Sequence, residues 1–240
     1  MANVWELGDV NNENLKNALN EAMVIIDKAF TTIDQKLDHH HRNICEKDIL
    51  DQQKNINLAS IAVHELYCKN YSVGGLDCLH LITKSLYEKY ECVLKKRITE
   101  RVIPFLEEKK NDKLLLKEVV EQWSLFGIYR SNLEKIFKPV EEVGYISVYY
   151  KNRNYRLWTL LQLSKNCFCQ MVWEDFHYEI DEGLTEMINS GAFNKEDGGN
   201  SIDPEILKFS FFYYEMEFVA VSVPNLKRTY NLLKDYNIRP

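Results

Sequence analysis

Residues 38–45 read DHHHRNIC, an aspartate, three consecutive histidines and a cysteine within eight positions. Carboxylate, imidazole and thiolate are the side chains that hold transition metals, so the segment raises metal chemistry first. Regular structure argues against it. Successive residues turn about 100° from one another on a helix and alternate faces on a strand, so His39, His40 and His41 cannot all reach one ion from either. A loop can bring two of them to Asp38 or Cys45, but the separated spacings of known zinc sites, C-x2-C and H-E-x-x-H, are absent. The segment reads as a polar insertion that titrates near neutral pH. Metal binding by residues 38–45 is kept as the alternative, and no metal or other cofactor is expected.

Other candidate chemistry is sparse. No G-x-S-x-G elbow or G-x-x-x-x-G-K-S/T loop occurs, and the glycine pairs at 74–75 and 198–199 lack a phosphate-binding context. His177 has Glu174 and Asp181 three and four positions away, which on a helix predicts a solvated ion pair in place of an acid/base site. Glu182 and Glu186 fall on the polar side of the same helix. The six cysteines, at 45, 68, 78, 92, 167 and 169, form no C-x-x-C pair and read as reduced thiols. Cys167 and Cys169 point about 200° apart on a helix, which suits core packing. Trp123 and Trp173 lie on or beside apolar stripes and are read as core.

The elements that carry these residues follow from apolar periodicity. Leu15, Ala18, Leu19, Ala22, Ile25, Ile26, Ala29, Phe30 and Ile33 fall at helical spacing after the capping residues Asn11 and Asn12. A second helix carries Leu50, Ile56, Leu58, Ile61, Ala62 and Leu66 to about Lys69. The paired glycines of YSVGGLD interrupt it, and a third helix with Leu79, Ile82, Leu86, Tyr90, Val93 and Leu94 runs to a kink or stop at Pro104. A fourth helix is capped by Asp112, is perturbed in its last turn by Pro139 and exits at Gly144. The fifth and longest opens near Asn154 and ends at Gly191, spanning on the order of 50 Å. After the polar linker NKEDGGNS, Asp203 and Pro204 start a sixth helix whose Phe209, Phe211, Phe212, Tyr213, Tyr214 and Phe218 exceed what one face can bury. The stretch PNLKRTYNLLKDY is the last helix.

With only 9 glycines and 5 prolines in 240 residues, the composition agrees with an all-α chain. A helix longer than a small domain's diameter predicts an elongated helical repeat: a first five-helix repeat over 1–191, a linker at 192–203, and the opening helices of a truncated second repeat at 204–240. A formal charge of -6, with basic residues dispersed among acidic ones, gives no attraction for nucleic acid. No uncharged apolar run is long enough for a bilayer, and MANVWELGDVNNENL lacks the basic-then-apolar order of a signal peptide. The expected location is intracellular, cytoplasmic or nuclear.

The order QWSLFGIYRSNLEKIF, then a long helix containing WEDF, then a polar linker and SIDPEILK resembles the amino-terminal region of a cullin. Trp123, Trp173 with Asp175, and Ile202 with Asp203 stand where that family carries a tryptophan, an aromatic residue of the long helix, and an isoleucine-aspartate pair. ELYCKN at 65–70 is similar to the family's second-helix ending. PVEEVG at 139–144 replaces the Tyr-Leu-Asp/Asn-Arg run of many members, so the turn there must be built differently. The resemblance implies a non-catalytic scaffold of a multisubunit ubiquitin ligase, whose amino-terminal repeat binds a BTB-fold adaptor carrying a substrate receptor. It places the adaptor contacts on the exposed face of the second helix with part of the fifth, the second-helix positions being Asn57, Leu58, Ile61 and Glu65. These are spaced along one helical stripe that a partner can read together. The alternative for the residues is that Ile61 faces the bundle core while Asn57 and Glu65 are merely solvated. The alternative for the chain is a free-standing helical tether or adaptor of another assembly.

Overall fold

Helical spacing becomes helix almost throughout. The computed structural model describes residues 13–38, 46–110, 114–145, 157–189, 193–194, 201–202, 204–216 and 223–235, and among them lie seven α-helices. These are α1 (Glu13–Asp38), α2 (Glu46–Arg97), α3 (Ile103–Glu108), α4 (Leu115–Pro139), α5 (Leu160–Asn189), α6 (Pro204–Glu215) and α7 (Pro224–Asp235). Phe193–Asn194 pairs antiparallel with Ser201–Ile202, closing the polar linker at its base. None of the described helices is long and apolar enough to cross a membrane. His39, His40, His41, Cys45, Asn11, Asn12, Asp112, Asn154, Gly191, Asp203 and Phe218 lie outside the described residues, as do the side chain of Asp38 and the metal alternative with it.

The punctuation residues act as their chemistry dictates. The second and third expected helices form one element, α2, broken at Gly75, whose φ of 59° and ψ of -150° are open to glycine and strained for other residues. Before Pro104 the backbone widens into a π-helical turn, Ile98–Val102, in which the Ile103 N–H reaches back to the Ile98 carbonyl. The proline then sits in the first turn of α3, where its missing N–H costs nothing. Pro139 stands instead as the last residue of α4, and a second π-helical turn follows at Val140–Gly144.

The longest expected helix starts later than its periodicity suggested. Leu157, Trp158 and Thr159 are not helical, and α5 begins at Leu160. The cause is distant in sequence. Trp158 gives its carbonyl to the hydroxyls of Tyr87 (3.2 Å) and Tyr145 (2.6 Å), and the Leu160 carbonyl accepts from Tyr90 (3.3 Å). The Leu160 N–H donates to Glu141 Oε1 at 2.7 Å, so a carboxylate satisfies one orphan donor of the new helix and opposes its dipole.

Packing divides the chain into two compact units. One gathers Met1–Cys92 with Ile128–Leu161, the other Val93–Gly127 with Gln162–Pro240. In the first, α1 buries Leu15, Ala22, Ile26, Ala29, Phe30 and Ile33. Its Phe30 stacks on Phe137 of α4 (6.0 Å), which meets the edge of Tyr90 (5.2 Å). Ile25, expected on the α1 core stripe, is instead 39% exposed, one residue off the line that the neighbouring helices cover. In the second unit, Phe212 of α6 is surrounded by Trp123 (5.8 Å), Phe168 (6.2 Å), Trp173 (5.8 Å) and Phe209 (5.6 Å). The aromatic excess of the sixth helix is thus enclosed through Phe209, Phe212 and Tyr213, while Phe211 remains exposed. Cys167, Cys169, Trp123 and Trp173 are core, as their stripes implied.

Candidate docking face

The candidate residues Asn57, Leu58, Ile61 and Glu65 all lie on α2 within the first unit. Helix α2 packs inward through Ile56, Ala59, Val63, Leu66 and Tyr67. That choice turns the other apolar residues of its expected stripe outward: Leu58 is 47% and Ile61 54% exposed. Leu50 is likewise outside. Asn57 and Glu65 are exposed as well, so the four residues share one solvent-facing ridge, and Ile61 does not face the core.

The ridge has hollows on both flanks. Towards α1, a hollow of about 340 Å³ is floored by Ala18, Ala22, Ala62 and Leu66, with Glu65 on its rim. Towards the end of α4, a smaller one of about 250 Å³ is lined by Ser60, Ile61, His64 and Pro139, with Lys138 and Glu142 beside them. Small side chains on both helices leave the first open, and Pro139 with its wide turn leaves the second. Local bonds hold the ridge residues in place. Asn57 accepts from Gln53 Nε2 at 2.9 Å, and Glu65 is ion-paired with Lys69 one turn on. The Lys69 hydrogen bond, with its charge, holds the Glu65 carboxyl below the usual carboxylate range, so this end of the ridge stays ionised. As an exposed pair it contributes little to stability.

Elsewhere the candidate chemistry resolves into structure. The His177 Nδ1–H donates to its own helix at the Trp173 carbonyl (2.8 Å), and the expected partnership with Asp181 gives way to another. Asp181, 4% exposed, accepts from Thr229 Oγ1 at 2.8 Å and faces Arg228 Nε at 3.0 Å, fastening α5 to α7. Sequence reasoning missed this buried carboxylate because its partners lie 47 and 48 residues away. Glu182 and Glu186 are exposed, as expected. Among the described residues no group of three or more His, Cys, Asp or Glu gathers as a metal site.

Asp181 makes a pH prediction. Burial raises its pKa, outweighing the bond from Thr229 and the charges of Arg228 and His177. A carboxyl with a raised folded-state pKa favours the fold when protonated. Its contribution is complete below the unfolded carboxyl range and is lost as pH rises through the folded value. Asp181→Asn, whose carbonyl still accepts from Thr229, should therefore gain stability relative to the parent between pH 4 and pH 7. Urea midpoints of both proteins across that range are the measurement, and a variant that loses ground with rising pH contradicts the sign.

Comparison with known proteins places the chain near one family. No family model matches it, and no solved structure does. It is 26% identical over 183 residues to Cullin-1 of Oryza sativa subsp. japonica, covering 72% of this chain and 23% of that protein. The chain thus spans about a quarter of the length of that relative. This similarity and the all-α fold fit a divergent cullin amino-terminal region.

Proposed function

We propose that this chain is the amino-terminal scaffold segment of a cullin-type ubiquitin ligase and that its α2 ridge docks a BTB-fold adaptor carrying a substrate receptor. The observation that carries the reading is the outward placement of Leu58 and Ile61 on a ridge with one hollow beside Glu65 and another beside Ile61. It offers a partner an apolar ridge with recesses beside it, the geometry of docking on a helix face. Asn57 and Glu65 flank the apolar pair with polar groups, an arrangement of apolar centre and polar rim. Two of the four contact residues are polar, so adaptor choice rests on Leu58 and Ile61 as anchors.

On this reading residues 1–191 are the first repeat, 192–203 the linker and 204–240 the start of a second repeat. The chain transfers no group itself. It works inside the cell, in cytoplasm or nucleus, and positions proteins that bring the chemistry.

The test is binding of the purified chain to a panel of purified BTB-fold adaptors by titration calorimetry. At least one adaptor should bind, and Ile61→Asp should weaken it by about 2 kcal/mol or more, roughly thirtyfold, because a charge would be desolvated at the centre of the contact. Phe211→Asp, at an equally exposed position on α6 in the other unit, should leave affinity unchanged. Equal affinity of the Ile61→Asp variant, or a folded parent that binds no adaptor, would overturn the assignment.

A further inference from the structure

One exposed pair on α2 has the composition and spacing of a chelate. His64 and Cys68 are four apart, both solvent-exposed, and the Cys68 sulfur stands 3.5 Å from His64 Nδ1 and 3.8 Å from Nε2. Zinc bonds of about 2.3 Å to sulfur and about 2.0–2.1 Å to nitrogen, held at a tetrahedral angle, require the two donors to lie about 3.5–3.6 Å apart. The existing separation falls in that range, but the sulfur is nearly equidistant from both ring nitrogens, so the imidazole must turn to aim one of them at a shared ion. The terminal imidazole torsion is broad and can direct either ring nitrogen to the ion at little cost.

We propose that His64 and Cys68 form a surface site for a borderline-soft divalent cation such as Zn²⁺, its remaining positions filled by water. Thiolate with imidazole selects zinc over magnesium or calcium, which take oxygen ligands. Binding converts the Cys68 thiol to a metal thiolate with release of one proton to solvent, so affinity rises with pH. The other exposed thiol among the described residues, Cys92, has Glu88 and Lys96 at its four-residue spacings and no imidazole there. This is why the site is assigned to the 64–68 pair. It sits on the same turns of α2 as Ile61 and Glu65, but the assignment stands independently of adaptor binding.

Cobalt(II) is the probe, because a thiolate-to-metal charge-transfer band in the near ultraviolet reports the sulfur ligand directly. The full chain carrying His39→Ala, His40→Ala, His41→Ala and Cys45→Ser serves as the background, removing the competing imidazoles and thiol of the 38–45 segment. Titration with Co²⁺ should develop the band in that background. Cys68→Ser should abolish it, and His64→Ala should weaken the apparent affinity by at least about tenfold. Zn²⁺ should displace the cobalt and bleach the band. No band in the background protein, or a band that survives Cys68→Ser, would overturn the site. Both substitutions are at exposed positions, so unchanged far-ultraviolet circular dichroism is expected throughout.

Discussion

Trp173→Ala is expected to cost about 3–5 kcal/mol, the range for deleting a large aromatic side chain from a packed core. The indole is fully buried on α5 and stacks on Phe212 of α6 at 5.8 Å, and its Nε1–H donates to Thr229 of α7 at 3.1 Å. One side chain thus joins three helices of the second unit. Truncation leaves a cavity where the ring stood and removes one of the hydrogen bonds converging on Thr229. The loss should be local as well as global: amides of 204–216 and 223–235 should exchange faster with solvent than those of α1. Trp173→Phe keeps much of the ring and removes the N–H, so it should fall well short of the alanine variant. Denaturant midpoints with amide exchange by mass spectrometry are the checks, and an alanine variant within about 1 kcal/mol of the parent contradicts the argument.

Gly144→Ala is expected to destabilise by about 3 kcal/mol, although it adds a single carbon. A Cβ there would lie 2.6 Å from Thr83 Oγ1, 2.7 Å from the Tyr67 hydroxyl and 2.8 Å from Thr83 Cγ2. None of these can retreat cheaply. Thr83 donates to the Leu79 carbonyl at 2.7 Å, Tyr67 bonds Thr83 at 3.1 Å, and both residues are buried. Overpacking typically costs about 1–3 kcal/mol, and separating the buried Tyr67–Thr83 pair adds about 1–3 kcal/mol. Gly127 supplies the contrast: a Cβ there meets nothing within 4 Å inside α4, so Gly127→Ala should stabilise by up to about 1 kcal/mol through helix propensity. Thermal or urea midpoints of the two variants should move in opposite directions. Gly144→Ala at parent stability would mean the close approach is absent.

Gly144 also shows how far local reading reaches. Read locally, Pro139 and glycine's role as punctuation make it the exit of the fourth helix, yet the π-helical turn runs through it into Tyr145, which is helical. That it must be glycine because of Thr83 and Tyr67 follows from packing alone. The same division runs through the docking face. Leu58 and Ile61 obey helical spacing as well as Ile56 and Leu66 do, so a stripe of apolar residues on α2 was legible while its covered half was not. The late start of α5 was hidden because its capping carboxylate, Glu141, belongs to the turn that follows another helix.

Sequence by itself determined the helices, their interruption at Gly75, Pro104 and Pro139, the core roles of Trp123, Trp173, Cys167 and Cys169, and the need to enclose the aromatic face of α6. All of these depend on residues one to four apart and on backbone freedom, which neighbours set. Tertiary structure alone decided which face of α2 meets solvent, where α5 begins, and that Asp181 is buried against α7. Each of those outcomes depends on which distant segment covers a surface, and helical periodicity carries no information about that partner.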